Sequence, residues 1–129
     1  MTEPVWIEAD DAILANLQLV EAFGGLAAGP RDDNLLLAAV ARPLNKWHYA
    51  ETRPSLFALA AAYAFGIAKG HVFHDGNKRT AYAVAIAFPR KNGVDVAPPG
   101  DAIVETMVAL AEGALDEEGF AAWLVLHTR

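Results

Sequence analysis

The chain has 129 residues, a net charge of −6, no cysteine and 54% hydrophobic residues. That length suits one domain, residues 1–129, able to bury a real core. The missing cysteines exclude a disulfide framework, a thiolate metal site and a cysteine nucleophile, and the acidic balance speaks against direct nucleic acid binding.

The first residues, "MTEPVWIEADD", carry no basic-then-apolar pattern and so are not a signal peptide. Asp10 or Asp11 is expected to cap a first helix, with Ile13, Leu17 and Val20 on one face and Gly24-Gly25 ending it. Asp32 or Asp33 caps a second helix carrying Leu35, Leu36, Ala39 and Val40, which Pro43 is expected to stop. Asn45 to Pro54 then reads as irregular. Ser55 caps a third helix, "LFALAAAYAFGIAKG", apolar nearly all round and therefore the central buried one, closed by Gly70. Its longest apolar run, Leu56 to Ala68, is too short to span a bilayer. A soluble, cytoplasmic protein without membrane contact is the expectation.

After the loop His71–Asp75, a fourth helix starts near Gly76-Asn77 and should stop or kink near Phe88, because Pro89 removes a hydrogen bond and clashes with the preceding turn. "KNGVDVAPPG" reads as a turn with a strand of two or three residues. Asp101 caps a fifth helix that Gly113 ends, and Asp116 caps a sixth. Nothing alternates with period two for long enough to build a sheet. An all-α fold of about six helices follows.

One stretch gathers the chemistry. "HVFHDGNKRT", His71 to Thr80, holds two histidines, a carboxylate, a lysine and an arginine within ten residues. From Lys69 to Arg79 the charge is +2, which leaves −8 on the rest of the chain. Such a positive island suits a small anion. A loop running into a helix start presents N–H groups without helical partners, and the helix dipole adds positive charge. Gly76 to Arg79 is therefore a natural phosphate seat, with full charges on Lys78 and Arg79 and an amide on Asn77. Asp75 at its mouth suits magnesium already bound to a nucleotide. His71 can exchange a proton near neutral pH and so take one from an attacking hydroxyl.

Plainer readings compete. Asp75 can be the N-cap of the fourth helix, Lys78 and Arg79 a solvated face, and His71 and His74 loop histidines, with Phe73 as an anchor under the loop. A Walker A loop fails, because Asn77 intervenes between Gly76 and Lys78 and no strand precedes. His74-Asp75, with His48 and His71, offers the dipeptide of an HD-type metal phosphohydrolase.

His71-Val72-Phe73-His74-Asp75-Gly76-Asn77-Lys78-Arg79 resembles the signature of the Fic/Doc superfamily, H-x-F-x-[DE]-G-N-x-R, at all six fixed positions. "GGLAAGPRDDNLLLAAVARP" and "AAAYAFGIAKGHVFHDGNKRTA" resemble segments of the same family, and the short chain resembles its Doc-type branch. The resemblance implies a general base at His71, a magnesium ligand at Asp75, nucleotide phosphates on Gly76, Asn77, Lys78 and Arg79, and a loop anchor at Phe73. AMP-transferring members have a second glycine where this chain has Lys78 and a second arginine where it has Tyr82. The Doc-type branch shares the lysine and transfers the terminal phosphate of ATP. The implied protein is the toxin of a toxin–antitoxin pair, a kinase that phosphorylates a threonine of a translation factor, elongation factor Tu, and arrests translation. AMP transfer and a catalytically silent antitoxin-binding protein are the alternatives. The family's inhibitory pattern [ST]-x-x-x-E-[GN] is not found, so control is expected from a small antitoxin laying a helix in a groove.

Overall fold

The computed structural model describes residues 2–129. Its elements are α1 (Ala9–Phe23), α2 (Asp33–Tyr49), α3 (Leu56–Gly70), α4 (Asn77–Lys91), α5 (Gly100–Glu112) and α6 (Glu117–Leu126). Among the described residues there is no sheet, only two isolated bridges, Pro30 with Phe73 and Val96 with Thr128. The fold is all-α, as the periodicity requires.

The apolar character of α3 decides the architecture. Leu59, Ala60, Ala61, Tyr63, Ala64, Ile67 and Ala68 are fully buried, and α3 packs against α2, α4, α5 and α6. Alanines on most faces let these neighbours approach closely. Ser55 caps it, its hydroxyl accepting from the Ala58 N–H at 3.1 Å. α1 lies outside this group and packs against α4 and α2.

Several expectations about helix ends change. α1 begins one residue before Asp10, and Asp11 serves from inside the first turn, its carboxylate accepting from the Glu8 N–H at 2.9 Å. Its inner face is Ala12 and Asn16, both fully buried, whereas Leu17 is exposed. α5 begins at Gly100 after Pro99, so Asp101 sits in its first turn rather than at its cap. Asp32 and Asp116 cap as expected, accepting from Asn34 and Gly119. The short strand around Val96 exists only as a bridge to the C-terminus, with the Ala97 N–H donating to His127 at 2.9 Å.

Both prolines lie inside helices that continue. α2 passes through Pro43 to Tyr49, so residues 45–49 are helical rather than irregular, and α4 passes through Pro89 to Lys91. The reason is long-range packing. Trp47, after Pro43, meets Trp6 edge to face at 6.2 Å, and Phe88, before Pro89, stacks on the same Trp6 at 5.8 Å. Arg53 closes the end of α2, donating to the Trp47 carbonyl at 2.7 Å with its guanidinium 4.7 Å from the Trp47 ring. Asn92 does the same for α4, donating to the Phe88 carbonyl at 2.9 Å. Burial of two large aromatics outweighs one hydrogen bond lost at each proline.

Candidate active site

The loop between α3 and α4 is held from below. Gly70 is the last helical residue of α3, and His71 itself takes the left-handed cap position at φ 47°, the one non-glycine at positive φ among the described residues. Glycine ordinarily occupies that position, so a histidine there is held by its surroundings. Arg31 supplies the hold, its Nε donating to the His71 carbonyl at 2.6 Å. The Arg31 N–H donates to Val72 at 2.9 Å, and the His74 N–H donates to Gly29 at 3.1 Å. The loop is thus stitched to residues 29–31, with the His71 and His74 side chains left exposed.

Phe73 is fully buried beneath the loop. Asn77 clamps its backbone. The Asn77 Oδ1 accepts from the Phe73 N–H at 2.8 Å, and its Nδ2 donates to the Phe73 carbonyl at 3.0 Å. The Asn77 side chain is therefore committed to the loop, and what it offers a ligand is its backbone N–H.

α4 starts from Gly76 at φ 72°, and the first helical bond runs from the Thr80 N–H to the Gly76 carbonyl at 2.9 Å. The N–H groups of Asn77, Lys78 and Arg79 precede that bond and have no helical partner. Asp75 is not the N-cap; Gly76 is. The carboxylate of Asp75 instead receives two backbone donors, Leu26 on Oδ2 at 2.9 Å and Gly76 on Oδ1 at 2.8 Å. These bonds, first Leu26 and then Gly76, hold its carboxyl below the usual carboxylate range, with Arg79 and Lys78 adding a smaller pull. Residues 24–26 must pass close: a β-carbon on Gly25 would stand 3.0 Å from the Asp75 oxygen.

A groove of about 870 Å³ opens over this assembly. His71, His74, Asp75, Lys78 and Arg79 line one end; Tyr82, Ile86, Ile103 and Met107 line its continuation between α4 and α5. The Arg79 guanidinium lies 4.8 Å from the Phe23 ring, at the end of α1. Burial pushes the Tyr82 hydroxyl up from its ordinary value, so it stays neutral where an arginine would be charged. His71, Asp75, Gly76, Asn77, Lys78 and Arg79 are therefore gathered at one groove. His48, on α2, does not line it.

The donor set fits magnesium arriving with a nucleotide, because that ion takes one or two carboxylates and completes its shell with phosphate oxygens and water. Among the described residues no three His, Cys, Asp or Glu side chains stand together as a metal cage. The ligand set an HD-type hydrolase requires is thus not assembled.

Two contributors escape local sequence reading. Leu26 gives a backbone N–H from 49 residues away in the chain. Asn16, fully buried on α1, donates through Nδ2 to the Asp75 carbonyl at 2.8 Å and the Thr80 hydroxyl at 3.1 Å, and its Oδ1 accepts from the Gly29 N–H at 2.9 Å. Its only sequence signal is an amide four residues after Ala12 on the inner face of α1.

Residues 6–89 match the Fic/DOC family. The chain is 41% identical over 101 residues to Toxin Doc of Mycolicibacterium smegmatis, an alignment covering 78% of this chain and 73% of the relative. It is 36% identical over 90 residues to Protein kinase doc of Escherichia phage P1, covering 70% of each. No helix among the described residues is long and apolar enough to cross a membrane.

Proposed function

The chain belongs to the Fic/DOC family, and on that premise we propose that it is the toxin of a toxin–antitoxin pair, an enzyme that moves the terminal phosphate of ATP onto a protein hydroxyl. The observation that carries this reading is Lys78, exposed in the groove beside the free N–H groups of α4. By the family resemblance, AMP-transferring members carry a glycine there and the Doc-type branch that transfers a terminal phosphate carries this lysine, which adds a full charge to the phosphate seat.

The chemistry follows from position. The target hydroxyl enters over His71, whose imidazole accepts its proton. The hydroxyl oxygen bonds to the terminal phosphorus as the bond from that phosphorus to the bridging oxygen breaks, and ADP leaves. Negative charge accumulates on the transferring group and the leaving oxygen. The N–H groups of Asn77, Lys78 and Arg79, with the two cationic side chains, stand ready to meet it without rearrangement. Asp75 would hold magnesium, which when bound neutralises part of the phosphate charge. The apolar wall of Ile86, Ile103 and Met107 gives the rest of the nucleotide a dry surface. Phe73, through its burial, keeps His71 and Asp75 on one rigid loop.

The implied target is a threonine of elongation factor Tu, so that modification arrests translation, and the implied regulator is a small antitoxin acting in trans. The names Toxin Doc and Protein kinase doc support the toxin and the kinase reading. The test is intact-mass spectrometry of purified elongation factor Tu after incubation with the protein, ATP and magnesium. A gain equal to one phosphate supports the proposal; a gain equal to AMP favours adenylyl transfer, and no gain favours another target or a silent binding protein.

A further inference from the structure

Asn16 and Thr80 are both fully buried polar side chains. They touch each other, 3.1 Å apart, directly beneath the loop that carries Asp75. A buried amide of this kind is costly to place, because every polar atom must find a partner. Asn16 meets that demand with backbone from two separate segments of the site.

The first is the peptide between Asp75 and Gly76. In a trans peptide the C=O and the N–H point in opposite directions. Asn16 Nδ2 draws the Asp75 carbonyl toward α1. The Gly76 N–H is therefore turned away from α1, where it donates to Asp75 Oδ1. Gly76 sits at positive φ with its α-carbon close to Asn16: a β-carbon there would stand 3.4 Å from Nδ2. The second is the segment following α1. Asn16 Oδ1 accepts from the Gly29 N–H at 2.9 Å, three residues after Leu26, whose N–H donates to Asp75 Oδ2.

Both donors that fix the Asp75 carboxylate thus trace back to one amide. We propose that Asn16 is a positioning residue for the magnesium–nucleotide site, orienting the Asp75–Gly76 peptide and anchoring residues 24–29 so that the carboxylate is aimed into the groove. This inference rests on the function proposed above. Asn16 is separated from the groove by the loop it supports and does not line it, so it acts on a ligand only through Asp75.

The test compares Asn16→Ala and Asn16→Asp with Tyr63→Phe, which removes a buried hydrogen-bonding group elsewhere in the core. Asn16→Asp keeps the size of the side chain and the acceptor for Gly29, but aims a second oxygen at the Asp75 carbonyl. It therefore stays informative if Asn16→Ala does not fold. Two readouts are taken on variants shown to be folded by circular dichroism. Amide proton resonances of Leu26 and Gly76 are followed by NMR without nucleotide, and the dissociation constant of magnesium–ATP is measured by calorimetry.

The expected result is that both resonances shift in the Asn16 variants and stay in place in Tyr63→Phe. Magnesium–ATP should bind about tenfold or more weakly in the Asn16 variants only, the size usual for removing a partner that orients a ligand group. Unmoved resonances, or equal weakening in Tyr63→Phe, would overturn the positioning role. A parent chain that binds no magnesium–ATP while the resonances still move selectively would overturn the functional reading and leave the aiming of Asp75 supported.

Discussion

Tyr63 and Asn16 are both fully buried, and each ties a helix to backbone far away in the chain. The Tyr63 hydroxyl donates to the Ile7 carbonyl at 2.8 Å and accepts from the Ile7 N–H at 3.0 Å. It closes on the core, next to Phe88 at 5.2 Å, and nothing it holds reaches the groove. Asn16 makes three bonds to the two of Tyr63, and what it holds is Asp75, Gly29 and Thr80, all at or behind the groove. The same physical device ties the N-terminal segment to the core in one place and the loop of the candidate site to α1 in the other. What differs is whether the tethered backbone carries an exposed charge.

The largest expected effect breaks the reactive side of that comparison. His71→Ala should reduce phosphate transfer by about 10²–10⁴-fold, the range for a lost general base. It should leave the melting temperature nearly unchanged, because the side chain is exposed. Transfer assays beside thermal melts check both halves. Lys78→Gly comes next: phosphate transfer should fall roughly tenfold to a hundredfold through lost charge stabilisation, and any label moved from the α position of ATP should rise relative to it.

Tyr63→Phe breaks the other side. It leaves the Ile7 N–H and carbonyl unpaired in the core, at about 1–3 kcal/mol of stability, measured by urea denaturation. Transfer by the folded fraction should be unaltered. The smallest effect concerns pH. Folding lowers the Asp75 pKa, so the stability that its carboxylate contributes is complete above the ordinary value of 3.8 and is lost as pH falls through the lower folded value. The stability difference between the parent chain and Asp75→Asn should therefore be constant from neutral pH down to about 4 and close only below it, as urea titrations across that range would show.

The candidate site was the more legible of the two in the sequence. His71, Phe73, Asp75, Gly76 and Lys78 lie within eight residues of one another, so one loop and one helix start bring them together. Capping by Ser55, Asp32 and Asp116 was readable for the same reason, since a cap and its partner lie within three residues. Pro43 misled because local sterics predicted a stop, while Trp6, distant in sequence, meets Trp47 beyond it; α4 also runs past Pro89, but only to Lys91. The role of Asn16 and the Leu26 N–H was hidden likewise: both depend on how α1 and the segment after it lie against a loop about fifty or more residues later.

The most direct measurement uses ATP labelled on either the terminal or the α phosphate, incubated with the protein and a cell extract, with His71→Ala run alongside. Transfer of the terminal label alone, abolished in His71→Ala, is the predicted result. Transfer of the α label, or terminal-label transfer that survives in His71→Ala, would contradict it.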